Sequence, residues 1–138
     1  MAKITLSLEV MQLMTMFENM TGAKLKDCII RGKSAYFIVQ ENEIGKAIGK
    51  RGSNVKRLER IIKRPIHIIE FHEKIADFIK GMVYPAEIKE VQMQGDKVII
   101  TPQDLKSRGL IIGKNAENLR FFEQTTQRYF PISEIRVK

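Results

Sequence analysis

The sequence predicts an α+β protein built twice over, as two units in tandem, residues 1–72 and 73–138, each ordered α-β-β-α-α-β. Three observations carry this. Apolar spacing switches repeatedly between helical and strand periods. Glycines and prolines punctuate the chain at the changes. The third is an internal duplication. Sliding the sequence by 64 positions matches Gly45 with Gly109, Ile48 with Ile112, Gly49 with Gly113, Lys50 with Lys114, Asn54 with Asn118 and Glu59 with Glu123. Six identities in a fifteen-residue window, in the same structural context, indicate a repeated unit.

Each element follows from its residues. Leu6, Val10, Leu13, Phe17 and Met20 recur at three- and four-residue steps, an amphipathic helix over Thr5 to Met20 that Gly22 stops. Met11, Met14, Met16 and Met20 are expected to fill gaps in the core. The runs "DCIIRG" and "SAYFIVQ" read as strands around a turn at Gly32 to Ser34. A short helix over Asn42 to Ile48 leads into a glycine loop. Val55, Leu58, Ile61 and Ile62 then form one stripe of a second helix, with Lys56, Arg57, Arg60 and Lys63 on its other side. Pro65 ends it, and "IHIIEF" is a strand. In the second unit Glu73 to Met82 is helical. "EIKEVQMQG" and "DKVIITP" make a hairpin around Gly95-Asp96. Pro102-Gln103-Asp104 opens another helix, a second loop-plus-helix runs to Pro131, and "ISEIRVK" closes the chain. No Gly-, Ser- or Pro-rich linker separates Phe71 from Ile75, so a fixed arrangement of the units is expected.

Charge narrows the function. The net +8 is concentrated between Lys46 and Arg64, where eight bases face one acid, Glu59, a net +7. A field so focused draws a polyanion, although a solvated helix face can look the same. Cys28 is the only cysteine, which excludes an internal disulfide and a multi-thiolate metal site, and it reads as core packing within a strand. With His67 and His72 as the only histidines, a zinc or iron centre lacks ligands, and no cofactor or metal is expected. The apolar stretches are too short to span a bilayer. Ser7 and Glu9 interrupt any secretory core, so a cytoplasmic protein is expected.

The glycine loop gives that charge a geometry. Gly49-Lys50-Arg51-Gly52 joins two helices, with Ser53 or Asn54 placed to cap the second. Glycines let a ligand approach the backbone and permit positive φ. Amides at the helix start then form a seat for phosphate, and Lys50 and Arg51 reach along the same anion. A P-loop is excluded because Lys50 stands where its second glycine belongs. A dinucleotide fingerprint is excluded by the order Gly45, Gly49, Gly52 after a helix.

The segment "IGKAIGKRGSNVKRLERIIKRPIHIIEF" resembles the core of a KH domain, whose G-x-x-G loop clamps about four nucleotides of single-stranded nucleic acid. With a helix ahead of the first strand, each unit is similar to the type II KH domain, which implies a three-stranded sheet with helices on one face. The tandem pair, whose second half reads "RGLIIGKNAENLRFFEQTTQRYFPISEIRVK", is similar to the paired KH domains of the NusA transcription factors. Because Met1 leads straight into the first helix, the chain looks like the short, archaeal type. The resemblance implies single-stranded RNA binding in control of transcription termination and antitermination, possible contact with RNA polymerase, and no enzymatic activity. Composition and spacing by themselves give only polyanion binding. Carried over residue by residue, Gly49, Lys50, Arg51 and Gly52 would be the backbone clamp, followed by Ser53 and Asn54. Ile48, Val55, Ile66 and Ile68 would form an apolar groove for bases, and Lys56, Arg57 and Arg60 would contact phosphates. For Val55 and Ile68, ordinary core packing is at least as good a reading. The second loop is Gly113-Lys114-Asn115-Ala116, with Asn118 and Arg120 beside it. There Ala116 is expected to resist positive φ and to place a methyl where RNA approaches. Residues 73–138 hold eleven bases and nine acids, +2, against thirteen and seven, +6, in residues 1–72. Weaker participation by the second loop is expected.

Three alternatives stand beside this. A KH module in ribosomal RNA processing or ribosome assembly would use the same residues. An enzyme cradling a nucleotide phosphate would need a base and nucleophile pair, whereas Glu41, Glu43 and Glu59 read as helix-end or surface acids. A purely structural domain would be indifferent to charge reversal at Lys50 and Arg51.

Overall fold

In the computed structural model, residues 7–138 are described; Thr5 and Leu6 of the expected first helix lie outside them. The chain divides between His72 and Glu73 into two compact units. The first contains α1 (Leu8–Thr21), β1 (Leu25–Arg31), β2 (Ser34–Val39), α2 (Ile44–Ile48), a 3₁₀ turn (Lys50–Gly52), α3 (Ser53–Ile62) and β3 (Ile66–Glu70). The second repeats the order with α4 (Ile75–Val83), β4 (Ile88–Gln94), β5 (Lys97–Pro102), α5 (Leu105–Ile112), a 3₁₀ turn (Lys114–Ala116), α6 (Glu117–Gln127) and β6 (Glu134–Val137). Each unit has one three-stranded sheet, in the orders β1-β2-β3 and β4-β5-β6. In both, the first pair of strands is antiparallel and the second pair parallel. A parallel partner requires a crossover, and the helix-turn-helix between β2 and β3 supplies it.

α1 starts where the Ser7 hydroxyl accepts the Val10 N–H at 3.1 Å and ends at Gly22, left-handed at φ 72°. Its core residues are one turn apart, Leu13 and Phe17. Alternate residues of β2, Ala35, Phe37 and Val39, point to the same side and meet them, together with Cys28, Ala47, Leu58 and Ile66. Phe17 and Phe37 stack at 4.3 Å with rings 20° apart. All three helices of this unit therefore pack on one face of its sheet. Burying each aromatic side chain is worth about 1.5–3 kcal/mol.

Two details differ from expectation. Met14 and Met20 pack against the core, but Met11 is 50% exposed and lines, with Met16, a groove on the other side of α1. On α3, Leu58 is buried and Val55 and Ile62 half-buried, whereas Ile61 is 55% exposed beside Arg57 and Arg60. At about 100° per residue, Ile61 lies about 60° from Leu58 on the side away from Ile62 and Val55, which carries it to the rim of the stripe.

Among the described residues, no helix is long and apolar enough to cross a membrane, and no group of three or more His, Cys, Asp or Glu side chains is placed to hold a metal.

Candidate nucleic-acid interface

The turn between α2 and α3 is fixed from both sides. At the start of α2, Glu43 accepts the Lys24 N–H at 2.9 Å, tying the helix to the beginning of β1. That bond, with the nearby Lys46 charge, holds the Glu43 carboxyl below its ordinary value. At the far end, the Asn54 side chain donates to the Lys46 carbonyl at 2.8 Å. Asn118 does the same to Leu110 at 2.9 Å in the second unit. The sequence places Ser53 or Asn54 as the cap of α3, and neither fills that role: Ser53 is the first residue of the helix. As for Asn54, it closes the C-terminus of α2, and the residue before α3 is Gly52, with no side-chain cap. A helix that short leaves its last carbonyls unsatisfied, and the asparagine of the next helix reaches back to one.

Gly49 has φ 76° and ψ 171°, a region essentially restricted to glycine. A Cβ there would meet Asn54 at 2.8 Å. Arg51 and Gly52 follow in the left-handed region, at φ 56° and 73°. Gly52 donates its N–H to the Gly49 carbonyl at 3.1 Å, and Ser53 donates to Lys50. Neither the Lys50 nor the Arg51 amide has a partner among the described residues. Successive unpaired N–H groups in a turn with left-handed residues make a concave seat for an anion. The Lys50 and Arg51 side chains are exposed above it and form no ion pair among the described residues.

Around this turn the other expected residues take their places. Ile48, Gly52, Val55, Lys56, Glu59, Ile66 and Ile68 line one groove of about 370 Å³ between α3 and β3. Ile48 is 38% exposed, while Ile66 is 9% exposed and also serves the core. Arg57 and Arg60 lie apart from that groove and flank Ile61. Ser53 is exposed. Arg64 is engaged elsewhere, in an ion pair with Glu9. Glu59, expected as a helix-end or surface acid, is exposed, and it also lines this groove.

The second turn copies the first. Gly113 has φ 71° and ψ 176°, Asn115 φ 55° and ψ 29°, and Ala116 φ 59° and ψ 23°. Ala116 was expected to resist positive φ, and it does not. Asparagine tolerates the left-handed region, while an alanine there costs about 1 kcal/mol, which the surrounding fold sustains. At the equivalent Gly52 a Cβ would have nothing within 4 Å, so the added methyl is sterically free. Lys114 and Arg120 are exposed, and Asn118 is half-buried by its bond to Leu110. What the second turn lacks is charge: Asn115 stands where the first carries Arg51.

Comparison with known proteins points the same way. Residues 14–76 match the KH domain family. A probable transcription termination protein NusA from Methanococcus vannielii is 31% identical over 98% of this chain and 80% of that protein. Its counterpart from Methanocaldococcus jannaschii is 29% identical over 99% of this chain and 76% of its own length. The one from Halococcus morrhuae is 25% identical, over 98% of this chain and 99% of that protein. The crystal structure of APE1850 is similar in fold, with a TM-score of 0.74 at 22% identity over 96% of this chain and 100% of that one.

Proposed function

This chain belongs to the archaeal NusA family of KH-domain proteins, and on that premise we propose that it binds single-stranded RNA through the turn at Gly49–Gly52. The observation that carries the reading is the pair of unpartnered amides at Lys50 and Arg51, set beneath two exposed cations at the mouth of an apolar groove. The sugar-phosphate strand lies across the turn, with its phosphate on the two amides and Lys56, Arg57 and Arg60 beside it. Bases turn into the groove against Ile48, Val55 and Ile68. Ser53 and Asn54 shape the turn. The second turn, through Gly113, Lys114, Asn115 and Ala116 with Arg120, takes a further stretch of the same strand more weakly.

The finer reading has three parts. The units are residues 1–72 and 73–138, with residues 71–74 between β3 and α4. The protein is a binding factor and not an enzyme. It acts in transcription termination and antitermination, in association with RNA polymerase, as the names of its relatives suggest. Co-purification with ribosomal particles instead of polymerase would favour a role in ribosomal RNA processing.

Titration with a short single-stranded RNA at two salt concentrations tests the binding. Neutralising several phosphates releases counterions, so affinity is expected to fall by roughly tenfold or more between about 50 and 200 mM salt. RNA binding that is absent at low salt, or that does not respond to salt, would overturn the proposal.

A further inference from the structure

The basic helix of the first unit has a second face that the groove does not use. At about 100° per residue, Val55 and Glu59, which line the groove, lie about 160° round α3 from Arg57. Ser53, Arg57 and Ile61 follow one another at four-residue steps along that opposite side, each exposed, with Arg60 beside them. Arg57, Arg60 and Ile61 line a depression of about 300 Å³ there. Neither arginine forms an ion pair among the described residues, whereas Arg64, at the far end of the row, is held by Glu9. The row begins at the first residue after the glycine turn and reaches Ile61 about 12 Å along the helix.

The duplicated unit lacks this face. Position for position, Arg57, Arg60 and Ile61 correspond to Phe121, Gln124 and Thr125. Phe121 is half-buried and Thr125 is 2% exposed, against 55% for Ile61. The repeated fold thus works without a bulky apolar side chain in solvent at this point of the helix. What the first unit adds is an apolar surface between two free cations, and it adds it beside the turn that carries the charge.

We propose that this depression holds one further nucleotide of the bound strand, beyond the roughly four taken by the turn and its groove. The proposal rests on the reading that RNA crosses the turn at Gly49–Gly52. That turn stands at the end of α3, so a strand lying across it leaves on two sides. One side leads into the groove, and the other leads onto the row that starts at Ser53. A nucleotide needs an apolar support for the face of its base and cations for the phosphates next to it. Ile61 supplies the first and the two guanidiniums the second, and a guanidinium plane also stacks on a base. Arginine side chains only donate, and isoleucine does neither, so the lining side chains offer no acceptor to a base edge. The contact is with the face of the base, which every base has. The site therefore lengthens the footprint without reading sequence.

The test compares a tetranucleotide with a hexanucleotide, as uridylates and again as adenylates, on the full chain and on the variants Ile61→Ser and Ile61→Phe. Both variants keep the charge, and Ile61 is exposed, so no core packing is lost. A longer strand has more registers to occupy on every variant alike, and the readout is therefore the gain in affinity with length, wild type against variant. Ile61→Ser is expected to bind the tetranucleotide as the wild type does and to lower the gain on lengthening by about fivefold, the value of one base contact, for both kinds of RNA. Ile61→Phe, which keeps an apolar support, retains the whole gain. A gain that Ile61→Ser leaves intact overturns the proposal and leaves this face to an acidic protein segment. An equal loss in Ile61→Phe overturns it too, by assigning the effect to the helix instead of the base. Failure of the wild type to bind either length would instead overturn the RNA reading itself.

Discussion

Reversing the charge of the first turn, with Lys50→Asp and Arg51→Asp together, is expected to lower affinity for single-stranded RNA by about a hundredfold or more, with the melting temperature unchanged. Two charge-assisted contacts of about 1.5–3 kcal/mol each are lost. The segment from Lys46 to Arg64 also changes from eight bases against one acid to six against three, from +7 to +3. Stability is spared because both side chains are exposed and hold no ion pair among the described residues. The left-handed region at position 51 is also one that aspartate enters readily, so the turn keeps its shape. Affinities from a binding titration, beside thermal melts of both proteins, check this. An equal affinity in the variant would return the basic helix to the status of a solvated face.

The second large effect falls on stability. Phe37→Ala is expected to destabilise the first unit by about 3–5 kcal/mol. Phe37 is fully buried, stacks on Phe17, and sits in the centre of β2 between Ala35 and Val39. Truncation loses the transfer energy of the ring and leaves a cavity that the neighbouring strands, bonded on both sides of β2, cannot close. A loss of that size approaches the whole stability of a small domain. Denaturant unfolding of the variant should show its midpoint lowered by an amount matching this loss, and a change below about 1 kcal/mol would contradict the packing described.

Much of the fold was legible because it rests on local signals. Leu13 and Phe17 at helical spacing, alternation in "SAYFIVQ", and terminators such as Gly22 and Pro65 act over a few residues, and the structure places its elements within a few residues of them. The duplication was legible because the paired residues have the same work in both units: Gly49 and Gly113 share a conformation only glycine adopts readily, and Asn54 and Asn118 make the same bond. What the sequence concealed depends on contacts between elements. Nothing near Asn54 in the chain shows that its partner is a carbonyl eight residues back. The 3₁₀ turn, which turns the Gly52 and Ser53 amides inward and frees those of Lys50 and Arg51, arises from how α2 and α3 meet. The tolerance of Ala116 for positive φ is likewise set by its surroundings, against its own preference.

The claim on which the rest depends concerns two backbone amides. On adding a short single-stranded RNA to the isotopically labelled protein, the amide resonances of Lys50 and Arg51 should shift as a charge-assisted hydrogen bond to phosphate forms, and should shift far more than those of Gly52 and Ser53, whose N–H groups are already donated within the turn. RNA binding that leaves the Lys50 and Arg51 amides unmoved would show that the strand is held somewhere else.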